Sequence, residues 1–151
     1  MITDLSEFRL QIARSRGIDV AVNPEKEDLV EAVQRGLGEE RAGPIMECVG
    51  SEATISDAVA CARNGSTFVI VGVFGKKPVV DLGPVQDREL NLLGTLMYQR
   101  RDYEKAIELI STGKLELKAL ITDTFPFTEY LKAYQHIEQA KDRAIKVMIA
   151  L

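Results

Sequence analysis

The apolar positions of this chain come in two rhythms, short continuous runs and stripes spaced three and four apart, and the two alternate. A stub at Ile2-Thr3 ends in Asp4. Ser6 is then placed to cap a helix running to about Arg16, with Phe8, Ile12 and Ala13 on one face and Gly17 as its stop. Residues 19–22 form a short strand pattern, after which Asn23-Pro24 offers a cap and a first-turn proline to a second helix. Leu29, Val30 and Val33 are its stripe, and Gly36 ends it. Residues 44–49 make the next strand, and Ile55, Ala58, Val59 and Ala62 mark a third helix that Asn64-Gly65 terminates. The run 66–71 is β-branched and aromatic, the mark of a strand buried on both faces. A loop punctuated by glycine and proline covers 72–84, followed by a strand over 89–96 and a helix from about Asp102 to Thr112. The rest repeats strand, helix, strand over 120–125, 128–141 and 144–149.

Strands separated by helical segments predict an α/β fold, a mainly parallel sheet with helices on both faces. No linker rich in Ser, Gly or Pro interrupts the chain, and no internal repeat or low-complexity tract is present.

Composition narrows the function. A chain of 151 residues that is 46% hydrophobic can bury the core of one ordinary domain. With 28% charged residues and a net charge of −4, it has nothing to attract nucleic acid or an anionic membrane. No apolar run approaches the roughly 20 residues that span a bilayer, and Met1 leads into no signal peptide, so a cytoplasmic location is expected. Cys48 and Cys61 are the only cysteines and His136 is the only histidine. Neither C-x-x-C nor H-E-x-x-H occurs, so the usual zinc spacings are missing, and both cysteines read as buried thiols.

Chemistry enters at the N-terminal stub. An acid at a strand end, followed by a helix with an arginine five residues on, is the arrangement of the second strand of a dinucleotide-binding fold. There the acid receives the adenosine ribose hydroxyls and favours NAD over NADP. The glycine-rich phosphate loop that would lie about 20 residues upstream has no counterpart here, so the chain reads as part of a nucleotide enzyme. Gly36-Leu37-Gly38 with Gly43 does not replace it, because it follows a helix and Arg41 stands where the third glycine belongs.

Several blocks then occur in one order: Thr3-Asp4-Leu5-Ser6 with Arg9, Glu47-Cys48-Val49-Gly50, and Val69-Ile70-Val71-Gly72-Val73. The tail adds Leu120-Ile121-Thr122, Phe125-Pro126-Phe127 and Ile145-Lys146-Val147-Met148-Ile149. On these blocks the chain resembles the C-terminal part of a zinc-containing medium-chain dehydrogenase of the polyol (sorbitol) and threonine dehydrogenase branch. The resemblance implies a partial Rossmann domain over 1–114, lacking its first strand, and a returning segment of the catalytic domain over 115–151. It implies that Asp4 and Arg9 hold the adenosine end of NAD. Val71, Gly72 and Val73, with Leu96, Met97 and Tyr98, would pass under the nicotinamide. The family's zinc ligands lie in an N-terminal barrel outside these residues, so no catalytic or metal-binding residue is assigned here. Hydride transfer between a secondary alcohol and NAD is implied for the intact parent only, and NAD binding by this chain alone is expected to be weak or absent.

Plain readings stand beside these. Asp4 is also a helix-start acid favoured by the macrodipole, and Arg9 a solvated arginine. Gly72 and Gly75 suit a turn at the carboxyl edge of a strand, which is also where open α/β sheets bind ligands. Tyr98 equally suits a core or interface aromatic. His136 falls on the polar side of its helix, opposite Ala133, Tyr134 and Ile137, and reads as a titrating surface group. Two function classes follow: the NAD-binding portion of a zinc-dependent alcohol or polyol dehydrogenase, or a non-catalytic relative kept as an oligomeric binding or assembly module. Strand edges left bare by the missing strand invite pairing with another chain, so a homo-oligomer is expected, with a separate N-terminal catalytic part as the other candidate partner.

Overall fold

The computed structural model describes residues 1–151. In chain order the elements are β1 (Ile2–Thr3), α1 (Glu7–Ser15), β2 (Ala21–Val22), α2 (Leu29–Leu37), β3 (Ile45–Glu47), α3 (Glu52–Cys61) and β4 (Thr67–Ile70). There follow α4 (Gly83–Asp87), β5 (Asn91–Gly94), α5 (Arg100–Ser111), β6 (Ile121–Pro126), α6 (Tyr130–Ala140) and β7 (Lys146–Ala150). Every paired strand is parallel: β1 with β2, β3–β4–β5 in that order, and β6 with β7. This is the α/β class that the alternation predicted.

The chain forms two compact units, one of Met1 with residues 24–97 and one of residues 2–23 with 98–151. In the first unit, Phe68 on β4 is fully buried among Ile55, Ala58, Val59 and Ala62 of α3 and the end of that helix, with Leu90 closing the cluster. The other sheet face carries Met46, Val69 and Leu93, aligned across the three strands. Met46 and Leu93 are exposed and Val69 is half-buried, so β4 is buried on one side rather than on both.

One helix departs from its expected bounds, running through Gly36 to Leu37, and another forms where a loop was expected. α2 starts at Leu29, with Asp28 as its cap accepting the Glu31 amide at 2.9 Å. Asn23 instead turns its amide onto the Leu5 carbonyl at 2.8 Å, which ties the end of β2 to the start of α1 and leaves Pro24 in a turn. α4 occupies part of the predicted loop, with Pro84 in its first turn where a missing amide costs nothing.

The second unit is less apolar inside. Leu10 is its fully buried side chain, joined by Val22 and Ala133. β6 and β7 pair over five positions, with a register irregularity between Ile121 and Asp123, and α6 lies against both. No residue of α5 is buried.

Candidate functional site

Asp4, the first of the sequence-predicted site residues, is placed by the turn between β1 and α1. The Asp4 amide donates to the Val22 carbonyl at 3.2 Å, extending the β1–β2 ladder by one step and fixing the residue at the strand end. Its carboxylate then bends back: Oδ1 accepts the Ser6 amide at 2.8 Å, and Oδ2 lies 3.6 Å from the Arg9 guanidinium. Ser6 caps α1 by accepting the Arg9 amide at 3.3 Å. Asp4 is thus a local turn acid and also a preorganised acceptor, half-buried and open on one side. Arg9 is brought to it by the first turn of α1. The pair fits a vicinal diol, because a carboxylate accepts from hydroxyls and a neighbouring guanidinium donates to their oxygens.

The second group of sequence-predicted residues sits in the other unit, at the carboxyl edge of β3–β4–β5. There Glu47, the last residue of β3, is buried with 3% of its surface exposed. Its Oε1 accepts the Val49 and Gly50 amides and the Thr54 hydroxyl, each at 2.8 Å. Its carbonyl accepts the Val71 and Gly72 amides at 2.8 and 2.9 Å, pinning the exit of β4 to the exit of β3. Burial pushes the carboxyl pKa up, but the Gly50 amide, the Thr54 hydroxyl and the Val49 and Gly72 amides together outweigh it and hold the group below the usual glutamate range. Oε2 is buried without a hydrogen-bond partner.

Gly72 is required by this packing. A Cβ there would stand 2.6 Å from Glu47 Oε2 and 2.7 Å from the Val49 carbonyl carbon. Gly50 answers from the other side with φ +80°, where a Cβ would meet the Val73 backbone at 2.6 Å. Val71, Gly72 and Val73 therefore run as a clamped ledge, with Val71 and Val73 exposed. Leu96 and Met97 leave the same sheet edge, after the Thr95 amide bonds the Ile70 carbonyl at 3.1 Å. Both are strongly exposed, and Met97 is held in the left-handed region at φ +61°, a conformation that for methionine is a local strain. Tyr98 belongs to the other unit, where its ring meets Tyr103 edge-on at 5.7 Å.

Two side chains, Cys48 and His136, differ from their sequence readings, and Cys61 agrees with its own. Cys48 is exposed, because β3 ends one residue before it and the thiol turns out into the loop. Cys61 is buried as expected, and burial together with the nearby Asp57 carboxylate pushes its thiol up to about 11. His136 is half-buried and lies 3.1 Å from Asp123 on β6, with Phe125 at 5.5 Å, while Tyr134 and Ile137 face outward. The His136 ring meets the strand near the buried Ala133, while Lys132 on the same polar side stays exposed. An open cavity of about 830 Å³ lies beside this ring, walled by Phe8, His136 and the 141–143 turn.

Ser6 and Glu47, which the sequence blocks contain but to which no site role was given, are the residues that hold these two groups in place. An acid inside the apolar run 44–49 was the available signal for Glu47. No three His, Cys, Asp or Glu side chains converge to hold a metal ion, so these residues do not fit a zinc site. No helix is long and apolar enough to cross a membrane.

Comparison with known proteins brings these features together. Residues 1–112 match the family described as zinc-binding dehydrogenase. The chain is 30% identical to sorbitol dehydrogenase 1 of Saccharomyces cerevisiae, over 99% of this chain and 43% of that enzyme. It is 28% identical to human sorbitol dehydrogenase, over 99% and 42%. Among solved structures it is similar to an Escherichia coli oxidoreductase/dehydrogenase of unknown specificity involved in membrane biogenesis, with a TM-score of 0.90 and 26% identity over 99% of this chain and 43% of that one. A zinc-binding dehydrogenase of Sinorhizobium meliloti bound to NADP superposes with a TM-score of 0.78 and 26% identity, over 87% and 39%. The chain therefore spans less than half the length of the relatives it matches and corresponds to their C-terminal part.

Proposed function

The chain belongs to the zinc-binding dehydrogenase family, and we propose that it is the cofactor-binding portion of an alcohol or polyol dehydrogenase that uses NAD. The observation that carries this reading is the Asp4 carboxylate, fixed at the end of β1 by the Ser6 amide and paired with Arg9. Asp4 would accept the adenosine ribose hydroxyls, and its negative charge disfavours a 2′-phosphate at that point. The Val71–Val73 ledge and the Leu96–Tyr98 segment would serve the nicotinamide end. NAD, when bound, supplies the carbon that accepts or returns hydride. A secondary alcohol as substrate is supported by the sorbitol dehydrogenases among the relatives. Zinc would have to be held by residues outside these 151, since no ligand set exists among them. Co-expression with the barrel and phosphate-loop portion of a relative tests the proposal. Alcohol-dependent NAD reduction is expected, with Asp4→Ala raising KM for NAD about tenfold. A folded, inactive complex would contradict it.

A second reading is favoured by the apolar surface. Tyr103, Ile107 and Ile110 on α5 and Leu131, Tyr134 and Ile137 on α6 are all exposed. Faces of this kind suit contact with another chain, so a non-catalytic assembly module, forming a homo-oligomer or binding a separate N-terminal part, is the alternative. Light scattering on the isolated chain distinguishes the two, with a stable oligomer that remains inactive in the co-expression assay favouring the module.

A further inference from the structure

Ser6 joins the start of α1 to the 141–143 turn, 136 positions away in sequence. Its residue is 5% exposed, and each of its polar groups is used. The amide donates to Asp4 Oδ1 at 2.8 Å, the hydroxyl oxygen accepts the Arg9 amide at 3.3 Å, and the hydroxyl proton goes to Asp142 Oδ2 at 3.0 Å. One buried serine therefore carries two carboxylates, Asp4 on its backbone and Asp142 on its side chain.

A helix cap needs only the bond from the Arg9 amide. The bond to Asp142 is additional and charge-assisted, which makes it the stronger of the two and fixes the rotamer from which Ser6 caps the helix. Asp142 makes no other hydrogen bond and no ion pair, even with its sequence neighbours Lys141 and Arg143. Its charge is left unneutralised by any pair while the Asp4 charge is offset by Arg9. The turn that bears it is itself held in place, because it follows α6 directly and precedes β7, which pairs with β6.

We infer that Asp142 is a positioning and specificity-determining residue for the ribose-reading site. It holds Ser6, and through Ser6 it aims the Asp4 carboxylate. It also adds a second negative charge that discriminates against a nucleotide phosphorylated at the ribose 2′ position. This rests on the reading of Asp4 given above, and it assigns to the C-terminal turn a part in cofactor choice.

The test titrates the 151-residue chain with 5′-AMP and with adenosine 2′,5′-bisphosphate, followed by amide chemical shifts, so that weak binding is still measured. The unsubstituted chain should prefer 5′-AMP. Asp142→Ala should weaken 5′-AMP about fivefold and leave the bisphosphate unchanged or tighter. Asp142→Asn keeps an acceptor for Ser6 without the charge. It should restore the 5′-AMP affinity but not the discrimination. Hydrogen exchange at the Ser6 and Arg9 amides should quicken in Asp142→Ala while that of β6 and β7 stays unchanged, which reads the link without any nucleotide. An Asp142→Ala chain that loses both nucleotides equally, or loses neither while Asp4→Ala weakens 5′-AMP, overturns the inference and leaves the Asp4 reading standing. Nucleotide binding indifferent to Asp4→Ala, or absent, overturns that reading and the inference with it.

Discussion

Residues 24–97 are organised around an apolar centre, Phe68 under α3, whereas residues 2–23 and 98–151 are organised around a polar one, Ser6 between Asp4 and Asp142. In the first unit the hydrophobic cluster holds the sheet, and the single buried acid, Glu47, is spent on fixing loops at the strand ends. In the second unit few side chains are buried, and the apolar faces of α5 and α6 point outward. Packing and polar contacts are thus distributed unevenly. The first unit resists change through packing, and the second sets the geometry of the Asp4 carboxylate through hydrogen bonds.

Substitutions should separate the two. Phe68→Ala removes a fully buried aromatic ring and should cost about 3–5 kcal/mol. Ile107→Ala on exposed α5 should fall within about 0.5 kcal/mol. Urea denaturation of both variants checks the contrast, and equal losses would break it.

Glu47→Ala strands the Val49 and Gly50 amides and the Thr54 hydroxyl, and should cost about 2–3 kcal/mol at neutral pH. Because the folded-state pKa of Glu47 is lowered, its contribution is present above the unfolded value and is lost as pH falls through the folded one. The gap between wild type and Glu47→Ala should therefore shrink below roughly pH 4, read by denaturation midpoints across pH. A gap that widened in acid would show that burial, not the amides, governs the group.

Gly72→Ala pushes a methyl group against Glu47 Oε2 and the Val49 carbonyl carbon and should cost about 1–3 kcal/mol. The smallest effect concerns the thiols. Cys48 should react with a maleimide in the native state, while Cys61, with its thiol at about 11 and buried, should react only on unfolding. Mass spectrometry of the labelled chain gives the order directly.

Much of this was legible in the residues. Strand positions came from runs of Val, Ile and Phe, and helix stops from glycines such as Gly17 and Gly113, which adopt positive φ, whereas α2 runs through the expected stop at Gly36 to end at Gly38. Asp4 and Arg9 were singled out through the resemblance, whereas their mutual approach needed the turn that places Asp4 ahead of α1. What could not be read was contact over long sequence separation. Asn23 looked like a cap because its neighbour is proline, yet its amide is taken by the Leu5 carbonyl, eighteen residues back. His136 looked solvated because helical periodicity says which residues share a side, not which side meets β6. Asp142 gave no signal, since its role exists only where the last turn reaches Ser6.

The most direct test of the account is an amide chemical-shift map of the 151-residue chain titrated with NAD. Shifts centred on Asp4, Ser6 and Arg9, diminished in Asp4→Ala, are the expected result, with weak affinity. Shifts centred elsewhere, and unaltered by Asp4→Ala, would contradict the claim that this acid reads the ribose.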